Sequence, residues 1–288
     1  MKKYSKIISG TMTWGVWGKQ FSTTEMETMI QHCISIGITT FDHADIYGGY
    51  TTEAEFGKAF TNSGIQRESI QLISKCGIQY ISENRNNKVK HYDYSKDYII
   101  WSVEESLKHL QTEYLDLLLL HRPSPLMQPD EIAEAITILK KQGKIRDFGV
   151  SNFTPSQMEM LGLCIIVDSN QIEFSLTAHQ AMHDGTLNYM LTNGIEPMSW
   201  SPLGSVFKED NEQTRRIHKQ LGALLKKYNA TEDQLLLSWI LKHPAGVIPV
   251  VGTTNKIRLQ QAIEASKIEL ELEDWFLILV ASQGHKVP

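Results

Sequence analysis

The sequence predicts a closed barrel of eight parallel strands, each followed by a helix, a (β/α)8 or TIM barrel formed as a single domain over residues 1–288. Three observations predict it. Short apolar, β-rich runs recur eight times and alternate with stretches of helical period. These runs are nearly continuous in apolar character, as expected of parallel strands covered on both faces. No Pro/Ser-rich linker divides the chain, and its 288 residues suit a barrel that typically takes about 250.

The strands are expected at 6–9, 39–42, 70–74, 115–120, 147–150, 165–168, 196–199 and 247–251. The first helix, 24–35, opens on Ser22-Thr23-Thr24-Glu25, which resembles a capping box, and stops at Gly37. A helix over 95–110 places Ile99, Val103, Leu107 and Leu110 on one face. The helix at 130–141 follows Pro129 and ends before Gly143, the Pro-first, Gly-last pattern. Further helices are expected at 155–161, 185–192, 212–227, 231–241, 256–265 and 273–281. The stretch 78–93 is too long for a βα loop and has no period, which marks it as a loop on the functional rim.

Composition narrows the function. With 28 Lys and Arg against 33 Asp and Glu, the net charge of -5 leaves no basic footprint for nucleic acid. The longest apolar runs, 114–120 and 247–251, fall far short of the roughly 18 residues of a membrane span. Met1-Lys2-Lys3 is basic, but the residues after it are too polar for a signal peptide. Cys33, Cys76 and Cys164 have no CxxC spacing and read as free thiols in a reducing cytoplasm.

In such a barrel the chemistry gathers where the strands end. Those positions are Thr11, Asp42, Lys75, His121, Ser151 with Asn152, Gln171, Trp200 with Ser201, and Gly252 with Thr253. Asp42 and Lys75 end adjacent strands and can pair. Tyr47 lies five residues beyond Asp42, before Gly48-Gly49. A phenol is a poor acid at neutral pH, and a neighbouring ammonium lowers its pKa. With His121 beside it, such a group protonates an oxygen gaining negative charge, as in carbonyl reduction. Taken singly, Tyr47 also reads as a packing aromatic, His121 as a core histidine and Asp45 as a turn or cap residue. Their convergence on one mouth favours the chemical role. His179 and His183 have a metal-compatible i, i+4 spacing but no third ligand at hand.

Seven ordered blocks carry a family resemblance. They are Phe41-Asp42-His43-Ala44-Asp45-Ile46-Tyr47-Gly48, Ile73-Ser74-Lys75-Cys76, the run from Asp116 to Pro123, the run from Gly143 to Phe153, Asn170-Gln171-Ile172-Glu173, Trp200-Ser201-Pro202-Leu203-Gly204, and the run from Ile248 to Asn255 with Arg258. Together they resemble the aldo-keto reductases, nearest a bacterial oxidoreductase branch. The resemblance implies NADPH-dependent reduction of a small aldehyde or ketone, with Tyr47 as proton donor and Asp42, Lys75 and His121 completing a tetrad. It implies Ser151, Asn152 and Gln171 on the nicotinamide carboxamide and Trp200 stacked on the ring. Ser201, Leu203 and Gly204 then meet the pyrophosphate, and Thr253, Thr254 and Arg258 the adenosine phosphate. Thr11 and Gly252 join the cofactor set as neighbouring strand ends. The family binds its dinucleotide without a G-x-G-x-x-G, which this chain lacks.

Two positions depart from the common pattern. Trp200 stands where Tyr is frequent, and Gly252 where many members carry Lys or Arg for the 2'-phosphate. Arg258 retains a cation for that phosphate, so NADPH is expected, with NADH as the alternative. A cofactor-sensing binding module of the same fold, as in ion-channel β subunits, is the competing function. A metal-dependent barrel hydrolase is disfavoured, because Thr11-Met12-Thr13 stands where that class has an H-x-H. The physiological substrate and the oligomeric state are not legible in the sequence.

Overall fold

The computed structural model describes residues 4–288, so the basic start at 1–3 lies outside the described residues. Among the described residues, ten strands and ten α-helices form. The strands are β1 (Ile8–Gly10), β2 (Thr40–Asp42), β3 (Gln71–Cys76), β4 (Ile78–Gln79), β5 (His91–Tyr92), β6 (Leu115–Leu120), β7 (Ile145–Ser151), β8 (Ser169–Glu173), β9 (Glu196–Trp200) and β10 (Ile248–Val251). The helices are α1 (Thr23–Ser35), α2 (Thr52–Ser63), α3 (Lys96–Leu110), α4 (Pro129–Lys141), α5 (Pro155–Gly162), α6 (Thr186–Asn193), α7 (Glu212–Tyr228), α8 (Glu232–Leu241), α9 (Lys256–Ala265) and α10 (Leu272–Gln283). Eight strands close in the order β1-β10-β9-β8-β7-β6-β3-β2, all parallel, which is the predicted (β/α)8 barrel.

Strand parity sorts the side chains. Successive residues of a strand face opposite sides. Ile8, Ile73, Leu117, Leu119, Met198, Ile248 and Val250 form one buried cluster with Tyr4, the barrel lumen. Their neighbours Phe41, Leu72, Leu118, Leu120, Phe148, Val150 and Ile172 join the larger cluster that the strands build with the helices. Two residues beyond Ile73 comes Lys75, and two beyond Leu119 comes His121. The lumen-facing row therefore becomes polar at its C-terminal end. Gly149 is on the same inward parity as Ser151. A Cβ there would meet the Ser169 carbonyl oxygen at 2.5 Å and Leu119 Cδ2 at 2.8 Å, so the closure of β7 on β8 requires glycine.

Three local expectations differ from the structure. The apolar run 165–168 is not a strand: Cys164 and Ile165 amides close onto the Leu161 carbonyl and finish α5, and Ile166 is exposed. The strand is instead the polar Ser169–Glu173, whose inward residues sit on the lumen. Helix α2 forms where the sequence predicts no element, and Gly57 at its centre masks the signal, since glycine weakens helix propensity. It is there because a Cβ would meet the His109 carbonyl oxygen at 2.1 Å, the close approach of α2 to α3. The stretch 78–93 is not featureless: β4 and β5 pair antiparallel, Ile78 with Tyr92 and Gln79 with His91. The first helix does have its capping box, with Ser22 and Glu25 exchanging hydrogen bonds.

Candidate active site

At the mouth of the lumen, Lys75 organises the polar residues. Its ammonium donates to both Asp42 carboxylate oxygens, at 2.8 Å and 2.7 Å, to the His43 carbonyl at 2.8 Å and to the Tyr47 hydroxyl at 3.2 Å. Lys75 is 1% and Asp42 3% exposed. A buried charge is costly unless paired, and here the pair is complete. Burial pushes the Lys75 ammonium down, but Asp42 and Tyr47 outweigh it and hold it above the usual lysine value. Gln171 closes the far side, its Nε2 donating to Asp42 Oδ1 at 2.8 Å. That bond fixes the amide orientation and leaves Gln171 Oε1, without a partner among the described residues, as an acceptor.

Tyr47 sits in a loop seated by the β4–β5 hairpin. Ala44, Ile46, Tyr47, Tyr50 and Ile78 pack as one cluster with Tyr80 against it, and the Tyr80 amide donates to the Tyr50 hydroxyl at 2.7 Å. Burial raises the Tyr47 phenol above its ordinary value; Lys75 opposes this without overcoming it. This corrects the expectation of a lowered pKa: the ammonium only limits the rise, and the phenol keeps its proton.

His121 packs edge-on to Tyr47, ring centroids 6.1 Å apart. Burial, then Lys75, Arg122 and Lys90, hold its pKa well below the ordinary value, so it is a neutral imidazole at pH 7. Its Nδ1 is sealed off without a partner among the described residues. Leaving a lone pair unpaired is less costly than leaving an N–H unpaired. The favoured tautomer therefore carries its proton on Nε2, the nitrogen able to reach a ligand.

The other predicted positions fall into two groups. Thr11 is wholly buried, its hydroxyl donating to the Asp42 carbonyl at 3.0 Å and lying 2.8 Å from His43 Nδ1. It supports Asp42 from behind, and its proton is not available to a cofactor. Ser151 likewise spends its hydroxyl on the Gln171 carbonyl, at 2.8 Å, and accepts from Asn152 Nδ2. Asn152 and Ser201 are the residues that turn out of β7 and β9, with φ of 59° and 53°, left-handed conformations that non-glycine residues rarely adopt. Such strain persists where the surroundings over-determine it, commonly at ligand sites. Asn152 Oδ1 accepts from Trp200 Nε1 at 2.9 Å, which fixes the indole plane. Leu203 and Gly204 follow in a half-buried turn, and Gly204 (φ 55°) packs on Thr177 and Ser175.

Thr253 and Thr254 are half-buried, and Gly252 and Arg258 are exposed. The Asn255 side chain caps α9 by accepting from the Ile257 and Arg258 amides, so those two are not open to an anion. Arg258 has no ion pair with Glu264, whose carboxylate accepts from Gln234 and Gln260. His179 and His183 lie 3.2 Å apart, Nδ1 to Nε2, and no group of three or more metal-ligating side chains occurs among the described residues.

Of the two aromatics that the sequence offers as walls of an apolar pocket, Trp17 packs on Tyr47 and Tyr80, at 6.2 Å and 5.3 Å between centroids, forming an aromatic wall, whereas Trp14 is pure core. Two site residues escape sequence reasoning, Arg122 and Tyr80. Arg122 lies over the Trp200 ring at 5.2 Å, and its place directly after His121 is the signal that could have found it. Tyr80 lies inside a stretch whose lack of period concealed it.

The profile of the aldo/keto reductase family matches residues 6–279. The chain belongs to the aldo/keto reductase family. It is 43% identical over 292 residues to the oxidoreductase YcsN of Bacillus subtilis, spanning 99% of this chain and 97% of that one. It is 34% identical to a 6-dehydroglucose reductase of Agrobacterium fabrum, spanning 98% and 97%. Among solved structures it superposes on a Bombyx mori aldo-keto reductase in complex with NADP with a TM-score of 0.76 at 26% identity, covering 97% of this chain and 89% of that one. A thermostable aldo-keto reductase in complex with epalrestat gives 0.81 at 26% identity, over 96% and 94%. As a member of this family the protein is an NAD(P)H-dependent oxidoreductase. No helix among the described residues is long and apolar enough to cross a membrane.

Proposed function

We propose that the protein reduces a small aldehyde or ketone to an alcohol with NADPH, and that Tyr47 delivers the proton. The observation that carries this is the buried set in which Lys75 bonds Asp42 and Tyr47 together, 2.7 Å and 3.2 Å away, beside a neutral His121.

The residues present fit a dinucleotide. Gln171 Oε1 and the second N–H of Asn152 are an acceptor and a donor, the complement of a carboxamide. Trp200 offers an indole face whose plane is already fixed. Asn152 and Ser201, both left-handed, directly follow β7 and β9 beside that indole. Ser201, Leu203 and Gly204 would hold the pyrophosphate, and Thr253, Thr254 and Arg258 the adenosine phosphate, with Gly252 leaving room beside them. When bound, the reduced nicotinamide supplies a hydride for the carbonyl carbon.

The side chains do the rest. The neutral Nε2–H of His121 hydrogen-bonds the carbonyl oxygen and orients it. The Tyr47 hydroxyl, which burial keeps protonated, transfers its proton to that oxygen as negative charge develops there. The Lys75 ammonium then stabilises the phenolate left behind, and Asp42, held by Gln171, keeps the ammonium in place. Trp17 and Tyr80 wall this centre from water. Three free thiols suit a reducing cytoplasm. Following NADPH absorbance with a panel of aldehydes and ketones tests the proposal. Turnover that fails in Tyr47→Phe supports it. Tight cofactor binding with no turnover of any carbonyl would favour a cofactor-sensing module instead.

A further inference from the structure

Lys75 is neutralised by Asp42, so it offers nothing to the far end of a substrate. The cations left at the mouth are on other elements. Arg122 leaves the end of β6 directly after His121. Its half-buried guanidinium lies over the Trp200 ring, 5.2 Å from the centroid. No carboxylate among the described residues pairs with it. Its backbone is clamped on both sides by one buried residue: the Tyr94 hydroxyl accepts from the Arg122 amide at 3.1 Å and donates to the Arg122 carbonyl at 2.5 Å. Gly77 makes this clamp possible, since a Cβ there would meet the Tyr94 ring at 1.9 Å. Lys90, which precedes β5 on the hairpin, adds its charge to that of Arg122 in lowering the His121 pKa, and Arg122 also lowers that of Tyr47. In a chain of net charge -5, two uncompensated cations converge on the reacting centre.

We propose that Arg122 is a specificity residue: the carbonyl compound reduced here carries an oxyanion, a carboxylate or a phosphate, which the guanidinium holds while Lys90 draws it in. A planar fork on a fixed backbone suits either oxyanion and binds it with little ordering cost. This rests on the carbonyl-reductase reading of the site.

Two matched pairs test it with NADPH: 4-carboxybenzaldehyde against methyl 4-formylbenzoate, and glyceraldehyde 3-phosphate against glyceraldehyde. The charged member of at least one pair should have the higher kcat/KM, by about 10–150-fold, the worth of one charged hydrogen bond. The pair that responds identifies the carboxylate or the phosphate. Arg122→Gln should abolish that ratio, and Arg122→Lys should restore part of it. Tryptophan quenching by benzene-1,4-dicarboxylate, which cannot be reduced, against its neutral diamide reports binding without turnover. Equal kcat/KM within both pairs, or a preference untouched by Arg122→Gln, overturns the proposal. No turnover with Arg122-dependent dicarboxylate binding would sink the reductase reading and leave the anion site standing. No turnover and no such binding would sink both.

Discussion

At the scale of single residues, Tyr47 is separated from an ordinary buried tyrosine by the ammonium 3.2 Å from its hydroxyl. Tyr47→Phe keeps the ring packing of the β4–β5 cluster and removes only the proton. It should lower kcat for carbonyl reduction by about 10²–10⁴-fold, the usual size of a lost general acid, with NADPH binding retained. Steady-state rates and cofactor titration on the purified variant check this; a wild-type kcat would remove Tyr47 from the mechanism. Arg258 is a second case. It is exposed, free of Glu264, and lies on the first turn of α9. A charged hydrogen bond contributes about 1.5–3 kcal/mol. Arg258→Ala should therefore weaken NADPH binding about 10–150-fold and leave NADH nearly unchanged. Equal losses for the two cofactors would show that Arg258 does not read the 2'-phosphate.

At the scale of elements, the loop after β2 and the N-terminal turn of α2 carry buried carboxyls behind the tetrad. Asp45 accepts from the Ser102 hydroxyl at 3.2 Å and from the Tyr98 hydroxyl at 3.4 Å, yet its Oδ1 has no partner. Glu53 accepts from Ser74, the residue before Lys75, at 2.5 Å. Burial first, and then their mutual repulsion in the case of Asp45, raises Asp45 to about 8; burial raises Glu53 to about 7. Both folded values lie above the unfolded ones. The native state therefore holds more protons between roughly pH 4 and 8, and stability contributed by the neutral carboxyls falls as pH rises through that window. Asp45→Asn keeps a neutral, near-isosteric group and should flatten this decline. Its Tm relative to wild type should rise between pH 6 and pH 9, with Asp45 responsible for up to about 1.4 kcal/mol per pH unit below its folded pKa. Parallel Tm curves for the two proteins would mean that Asp45 is not the group titrating. His43, buried and lowered to about 3, works in the opposite direction. It stays neutral while an unfolded histidine gains a proton, so its burial removes stability as pH falls below 6.5.

At the scale of the whole molecule, closure of the barrel depends on glycine at one seam. Gly149→Ala places a methyl group against the Ser169 carbonyl, so the backbones of β7 and β8 must separate. Overpacking of this kind costs about 1–3 kcal/mol. Because Ser151, the last residue of β7, meets Gln171 in the middle of β8 in register, the shift also disturbs the Gln171–Asp42 bond. The variant should lose several degrees in Tm together with activity, measured by calorimetry and NADPH oxidation. Full activity at wild-type Tm would mean that the seam has slack. The C-terminal helix is tied on two sides: Trp239 of α8 and Trp275 of α10 stack at 4.9 Å and each donates its indole N–H to the other's carbonyl, while Lys227 of α7 pairs with Asp274 and Arg216 donates to the Ala281 carbonyl.

The sequence by itself determined the order of units, because apolar runs and caps are local signals: β6 and α1 stand where Leu115–Leu120 and the Ser22–Glu25 box put them. It also determined which residues meet at the mouth, since in a parallel barrel the end of each strand has a fixed place, and Asp42, Lys75 and His121 end theirs. Local signals failed where burial reversed them. β8 is polar because its inward face joins a hydrogen-bonded layer, and α2 tolerates Gly57 because α3 approaches it closely. Only the tertiary structure decided what each group does. Burial against an ammonium, not spacing, keeps the proton on Tyr47; desolvation beside three cations keeps His121 neutral; and Thr11, a strand end like the others, is turned into a support because Asp42 and His43 consume its hydroxyl. Spacing along a chain fixes neighbours, whereas pKa and free hydrogen-bonding capacity depend on the whole three-dimensional surroundings.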